Sequence, residues 1–290
     1  MPDNSNLELS RLIKKLGISF KGPGSDALPL EHRENFNRIG AIGKKTPKDY
    51  QSDSTFQSNE PWRKQTINRA KWLASHAAKL VNQQCNEAGW RSSLENNVFH
   101  RFLVEVACPT CRARIWMSEF EAYNDLPYAE ARSLQERRSR REPCSCQAEH
   151  RPRDSYYDVG GNLLFDDRAK ESIMYGPLVD MQLPKKKPDR VFGLKKSKSF
   201  AKILDVDGTD SDEDSRFSPF KDCNDPLLFP FLIIEAKPEK MSAGFQEIQT
   251  QTALPIWELL KLQESIRNDT LRESHSTSPL VWFFANRGDS

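Results

Sequence analysis

The longest apolar run in the chain extends from Leu227 to Ile234, with one proline inside it. A membrane-spanning helix needs about 20 apolar residues, so this run is too short to cross a bilayer. Its last part, residues 231–234, is apolar on both alternating faces, which is typical of a strand that is covered on each side. The run therefore predicts the centre of a buried β-sheet.

The chain as a whole is polar enough to combine folded and disordered portions. Hydrophobic residues make up 37% and charged residues 29% of its 290 residues, and its mean hydropathy is −0.72. The formal net charge is only +2, which excludes a uniformly basic nucleic-acid arm. Residues 1–60 have few periodic apolar positions, which predicts a disordered or loosely docked leader that contributes little to the core. Within it, only residues 7–18 have the spacing of a short helix.

Beyond the leader, the apolar spacing predicts alternating helices and strands. The predicted helices are 62–84, 90–102 and 244–267, the last with a kink at Pro255, and the predicted strands are 177–183, 190–194, 231–234 and 280–285. This order indicates an α/β domain over residues 61–290. A charged segment with several cysteines, about residues 107–153, is expected to be an insertion in that domain.

Charged residues directly follow the apolar run. Glu235 and Lys237 are two residues apart, so on a strand they share one face. A carboxylate that holds a hard cation, beside a lysine that orients water, is a plausible hydrolytic pair. Asp189, next to the strand 190–194, is the candidate for a second carboxylate. Glu95, on the helix 90–102, is a third candidate for the same cleft.

Two motifs in this constellation, Pro188-Asp189 and Glu235-Ala236-Lys237, match the signature of the PD-(D/E)XK nuclease superfamily. The element order also resembles the restriction-endonuclease-like core of that superfamily, α-β-β-β-α-β with a mixed central sheet flanked by helices. More narrowly, residues 86–90 and 175–178 resemble the nuclease-like domains of uncharacterised fungal proteins, and the resemblance spans about residues 86–287.

The resemblance implies a metal-dependent nuclease that hydrolyses phosphodiester bonds in nucleic acid. It implies that Asp189 and Glu235 hold Mg²⁺ or Mn²⁺ and that Lys237 assists the attacking water. It further implies supporting roles for Glu95 and for a helix glutamine, Gln249 or Gln251. Because a fold of this kind can be kept after its catalytic activity is lost, the alternative is a catalytically inactive module that binds nucleic acid or protein.

Each candidate residue also has a purely structural interpretation. Ser92 and Glu95 have the spacing of a capping box, which would place them at a helix start. Asp189 follows a proline and can begin a turn. Lys237 can be an exposed residue at a strand end, and the two glutamines can be surface residues of their helix.

Four of the six cysteines have a spacing that suggests a tetrahedral zinc site within the insertion. The proposed ligands are Cys108, Cys111, Cys144 and Cys146, with His150 as a substitute. Unliganded thiols are the alternative. Cys85 and Cys223 have no partner pattern and are expected to be ordinary cysteines.

Two basic clusters favour nucleic acid as the partner, because phosphate charge supplies most sequence-independent affinity. They comprise Lys185, Lys186, Lys187, Arg190, Lys195, Lys196 and Lys198 around Asp189, and the arginines of residues 137–153. Such clusters also occur in solvated loops and nuclear import signals.

The acidic run 205–214 is predicted to be a solvated loop rather than a Ca²⁺ loop. Without an apolar leader, the chain is expected to be intracellular, with the nucleus as one destination and no membrane partner. The sequence leaves its oligomeric state open.

Overall fold

The computed structural model describes residues 4–20, 29–52, 63–107, 157–161, 165–174, 187–196, 217–220, 226–237, 244–269 and 278–287. They fall into two compact units. Unit 1 contains the described residues within 1–37, 165–196 and 207–290, and unit 2 contains those within 38–164. The predicted strand 177–183, the acidic run and the cysteine segment beyond Ala107 lie outside the described residues.

The elements confirm a mixed α/β protein. The helices are α1 (Asn4–Lys15), α2 (Leu30–Gly43), α3 (Pro47–Ser52), α4 (Arg63–Asn82), α5 (Glu87–Trp90), α6 (Asn96–Val98), α7 (His100–Leu103) and α8 (Gly244–Asp269), with a π-helical turn over Arg91–Glu95. The strands are β1 (Val104–Ala107), β2 (Tyr157–Gly161), β3 (Phe165–Ala169), β4 (Arg190–Lys195), β5 (Leu227–Lys237) and β6 (Trp282–Arg287). None of the helices in the described ranges is long and apolar enough to span a membrane.

Unit 1 is built on a four-stranded mixed sheet with the strand order β3-β4-β5-β6. The first three strands pair antiparallel, and β6 pairs parallel to β5. A parallel neighbour requires a crossover connection, and α8 lies in that connection. The apolar run is therefore a central strand, as the sequence predicts, and α8 continues through Pro255 as a single helix.

The core of unit 1 lies between the sheet and α8. Val191 of β4 pairs with Ile233 of β5, and both side chains are almost fully buried. Leu254 and Leu259 of α8 belong to the same buried cluster. Large-to-small changes at such positions typically cost about 2–5 kcal/mol, because they leave a cavity. This packing fixes the α8-covered face of β4 and β5.

A bulge in β5 accommodates the proline of the apolar run. Between the pairs Phe192↔Leu232 and Leu194↔Leu228, β4 advances two residues while β5 advances four. Phe229 has a φ of 44° there, and Pro230 follows it in the bulge, where a missing N–H is tolerated. The backbones approach closely, since a Cβ on Gly193 would lie 2.6 Å from the Leu228 carbonyl oxygen. Only glycine fits this position of β4 without a shift.

Gln263 of α8 ties the helix to both parallel strands. Its Nε2 donates to the carbonyl oxygens of Pro230 and Leu280, each at 3.1 Å, and its Oε1 accepts from Leu280 N–H at 2.8 Å. Pro230 lies in β5, and Leu280 lies just before β6. One amide side chain therefore satisfies three backbone groups where the two strands meet the helix.

The expectation that residues 1–60 contribute little to the core is wrong for α1. Leu9 is 4% exposed and belongs to the buried cluster of unit 1. Leu12, Ile13 and Leu16 pack against the same cluster. The apolar stripe over residues 7–18 is narrow, but α8 and the sheet provide a surface that buries it. Tertiary packing thus stabilises a helix that is too short to be stable alone.

α2 is also attached to unit 1, next to β6. His32 donates from Nε2 to the Ser278 carbonyl oxygen at 2.8 Å, and Glu31 accepts from the Ser278 N–H at 2.9 Å and from its hydroxyl. These bonds to the charged form lower the pKa of Glu31 to about 2. The Phe36 ring lies 5.0 Å from the Trp282 ring. Residues of the predicted leader therefore contact the start of β6 and the segment just before it.

Unit 2 contains α4 and the segmented helical stretch Glu87–Leu103, followed by the antiparallel pair β1–β2. α4 matches the predicted helix 62–84, and the segmented stretch covers the predicted helix 90–102. Asn86 Oδ1 accepts the Gly89 N–H at 2.9 Å and so caps the first turn. Helical structure therefore begins before Ser92.

Replacing Leu9 with Ala tests the docking of α1. We expect the free energy of unfolding to fall by about 2–4 kcal/mol, because the change leaves a cavity in the core. The matched control is Leu7→Ala on the same helix, whose side chain is 52% exposed; it should change stability by no more than about 0.5 kcal/mol. Urea denaturation of the full chain measures both. Equal, small effects of the two changes would mean that α1 is not part of the core.

Candidate active site

Asp189 and Glu235 are brought together by the register of β4 and β5. Arg190 pairs with Ile234, so one further step along the antiparallel ladder places residue 189 opposite residue 235. They are the next same-face positions after the buried pair Val191 and Ile233. The two carboxylates therefore continue the α8-covered face and are almost as buried as the core, at 6% and 5% exposed.

Backbone hydrogen bonds hold the two carboxylates reciprocally. The Asp189 N–H donates to Glu235 Oε2 at 3.2 Å, and the Ala236 N–H donates to Asp189 Oδ2 at 2.8 Å. Each strand thus supplies one carboxylate and one N–H donor. Such charge-assisted bonds offset part of the cost of burying two anions side by side. Asp189 forms the bend before β4, but it is not merely a turn residue, since its side chain is bonded across the sheet.

Lys170 supplies a positive charge next to this pair. Its Nζ lies 3.9 Å from Asp189 Oδ1, and its side chain is 64% exposed. The residue follows β3 directly, and its N–H is shared between the carbonyl oxygens of Pro188 and Asp189, at 3.2 and 3.3 Å. Lys170 is not among the site residues that the sequence predicts, because nothing in the surrounding residues marks a turn lysine as part of a site.

Three other predicted site residues lie on β5 and α8. Lys237 is the last residue of β5 and pairs through its backbone with Arg287 of β6. Gln249 and Gln251 lie on α8 and are half-buried, so neither is a fully exposed surface residue. The Oε1 atom of Gln251 is buried and has no hydrogen-bond partner among the residues that the structure describes. The roles of Lys237 and the glutamines remain predictions.

Glu95 lies in unit 2, so its predicted part in the same cleft is not tested by the geometry of unit 1. It ends the π-helical turn and is 8% exposed. Arg91 Nε donates to its Oε2 at 3.2 Å. Its interpretation as part of a capping box is wrong, because Ser92 lies inside the helical stretch and donates from Oγ to the Gly89 carbonyl oxygen at 3.3 Å.

The other predicted residues either lie outside the described residues or have other surroundings. The proposed zinc ligands Cys108, Cys111, Cys144, Cys146 and His150 lie outside the described residues, as does Cys223. Cys85 is a half-buried free thiol. Within the basic cluster, Arg190 points to the opposite face from Asp189 and pairs with Asp167, Nε to Oδ2 at 3.4 Å. Burial raises the pKa of Asp167, and Arg190 opposes that rise.

The donor set at Asp189 and Glu235 fits a hard divalent cation. Both side chains offer carboxylate oxygens, and Mg²⁺ is usually held by one or two carboxylates that are completed by water and substrate phosphates. Within the described ranges, no group of three or more His, Cys, Asp or Glu side chains could hold a metal. Asp189 and Glu235 thus offer two protein ligands, fewer than the four that a structural Zn²⁺ site uses.

Comparison with family models, curated proteins and solved structures finds no match to this chain.

Replacing Asp189 with Ala tests the reciprocal hydrogen bonds independently of any activity. The change removes the acceptor of the buried Ala236 N–H, so we expect stability to fall by about 1–3 kcal/mol. Asp189→Asn retains a side-chain oxygen that can accept this bond and should cost clearly less. Urea denaturation compares the two variants. Equal stabilities of the Ala and Asn variants would show that the bond between the strands is absent.

Proposed function

We propose that the chain is a metal-dependent nuclease with a restriction-endonuclease-like core in unit 1. The observation that carries the proposal is the convergence of Asp189 and Glu235, which are 46 positions apart in sequence and joined by a hydrogen bond. Both are candidates from the sequence motifs, and a chance match of two short motifs would not require them to be neighbours on one sheet face.

The order of elements in unit 1 supports the same proposal. A helix, three antiparallel strands, a crossover helix and a parallel strand occur in the order α1, β3, β4, β5, α8 and β6, with α2 and the elements of unit 2 between α1 and β3. This order is compatible with the α-β-β-β-α-β core. The first helix in this arrangement is α1, which lies outside the segment 86–287 that carries the resemblance in the sequence.

The residues of the pair would act on the phosphodiester bond in distinct ways. Asp189 and Glu235 would hold Mg²⁺ or Mn²⁺. When bound, the ion supplies Lewis-acid stabilisation of charge that develops on the phosphate. Lys237 is two positions after Glu235 on the same strand, so we place its ammonium beside the attacking water, where it orients the nucleophile. Burial of the two carboxylates strengthens their attraction for a cation relative to exposed ones.

The alternative function is a nuclease-like module that binds nucleic acid without cutting it. The reciprocal hydrogen bonds favour this alternative, since one oxygen of each carboxylate joins the two strands. If Asp189 and Glu235 served only to join the two strands, they would stabilise the sheet without binding a metal.

Cleavage assays with the Glu235→Gln variant test the proposal. The change preserves shape and removes the anion, so cleavage of DNA or RNA in Mg²⁺ should fall at least about 100-fold, as for loss of a principal electrostatic contact. Lys237→Ala should behave similarly. The matched control is Glu264→Gln, a glutamate of α8 whose side chain is 41% exposed and pairs with Lys261 at 2.9 Å; it should leave cleavage unchanged.

The assays use single- and double-stranded DNA and RNA, each with Mg²⁺, with Mn²⁺ and with EDTA. Cleavage that persists in EDTA, or that is unaffected by Glu235→Gln, contradicts the proposed mechanism. A folded chain that binds nucleic acid without cleaving any of these substrates supports the inactive module instead.

A further inference from the structure

We infer that Lys170 has two alternating partners: Asp189 when no divalent cation is bound, and a phosphate of the nucleic-acid backbone when the cation is present. This inference rests on the proposed function, because it assumes that Asp189 holds the cation. It adds a residue outside both sequence motifs and a means by which the site distinguishes its metal-free and metal-bound states.

The first observation is the place of the ammonium group. Lys170 Nζ lies 3.9 Å from Asp189 Oδ1, while the other oxygen of that carboxylate, Oδ2, accepts the Ala236 N–H. The lysine therefore approaches the oxygen that is not committed to this bond between the strands. A cation at this oxygen competes with a metal for the same charge.

The second observation is the backbone of Lys170. Its φ of 53° lies in the left-handed region, which is uncommon for residues other than glycine, asparagine and aspartate. The N–H that donates to the Pro188 and Asp189 carbonyl oxygens fixes this conformation next to the site. Glycine adopts this conformation without steric cost, so Lys170→Gly removes the ammonium while it keeps the turn.

The third observation is the exposure of the side chain. At 64% exposed, the lysine stem can move, whereas Asp189 is buried and held by hydrogen bonds to β5. When a divalent cation occupies Asp189, like-charge repulsion disfavours an ammonium 3.9 Å from the same oxygen. A phosphate drawn to the metal is the nearest anion that could replace Asp189 as the partner of Lys170.

Binding measurements on the full chain test the two partners separately. Mn²⁺ affinity is measured by calorimetry without nucleic acid, for the natural sequence and for Lys170→Ala and Lys170→Gly. We expect both variants to bind Mn²⁺ about twofold to fivefold more tightly, because an exposed ion pair of this strength no longer competes. The glycine variant also relieves the left-handed backbone, so it remains informative if the alanine variant folds poorly.

Nucleic-acid affinity is then measured in Ca²⁺ with a fluorescent DNA duplex over a range of salt concentrations. Loss of one phosphate contact should weaken binding and reduce the slope of log affinity against log salt by about 0.9. Lys170→Arg should retain the slope of the natural sequence. The matched control is Lys261→Ala, since Lys261 is also an exposed lysine in an ion pair, 54% exposed; it should alter neither quantity.

The outcomes separate this inference from the proposed function. If Glu235→Gln abolishes Mn²⁺ binding and Lys170→Ala leaves Mn²⁺ affinity or the salt slope unchanged, the role of Lys170 is wrong while the metal site stands. If the natural sequence binds no Mn²⁺, or binds it equally well after Glu235→Gln, the proposed site and the inference from it both fall.

Discussion

The pairing of β4 with β5 is the constraint on which the rest of unit 1 depends. It buries Val191 against Ile233 on the α8-covered face, and the same register sets Asp189 opposite Glu235 one step later. A shift of β4 by one residue against β5 would turn Asp189 to the face opposite Glu235 and take Val191 off the α8-covered face. The same register therefore sets both the core packing and the positions of the two carboxylates.

Two adjacent buried carboxylates are costly, and the structure compensates for them locally. Two backbone N–H groups and the Lys170 ammonium surround the pair, so the sheet supplies donors that water would otherwise provide. This arrangement holds the two carboxylates in place. It also explains how a chain with balanced overall charge can concentrate negative charge at one point of a sheet.

Much of the central fold follows from the sequence, because it depends on local patterns. The apolar runs of β5 and β6 and the periodicity of α4 and α8 each reveal an element directly. β3 does not, since Phe165–Ala169 is an edge strand with charged residues at its centre, as edge strands often are. The docking of Leu9 depends on a surface formed by distant elements.

Some residues of the candidate site can likewise be predicted from local sequence patterns, and others cannot. Two short motifs identify Asp189 and Glu235, and their convergence needs only the strand register. Lys170 and Gln263 have no motif, because their roles come from a left-handed turn and from two strand ends that meet at a helix. The spacing of residues in the sequence predicts neither this turn nor the meeting of these strand ends. Glu95 shows the converse: the capping-box pattern is present in the sequence, but the helix begins earlier, at a turn that Asn86 caps.

The central claim is that Asp189 and Glu235 together hold a divalent cation. Its most direct test is a crystal structure of the full chain with Mn²⁺, from diffraction data collected to show anomalous scattering. The claim predicts an anomalous peak within about 2.0–2.3 Å of oxygens from both Asp189 and Glu235, as expected for a hard cation with carboxylate ligands. It predicts the same peak to be absent in Glu235→Gln crystals. A well-ordered pair with its reciprocal hydrogen bonds intact, and no peak at saturating Mn²⁺, would contradict it.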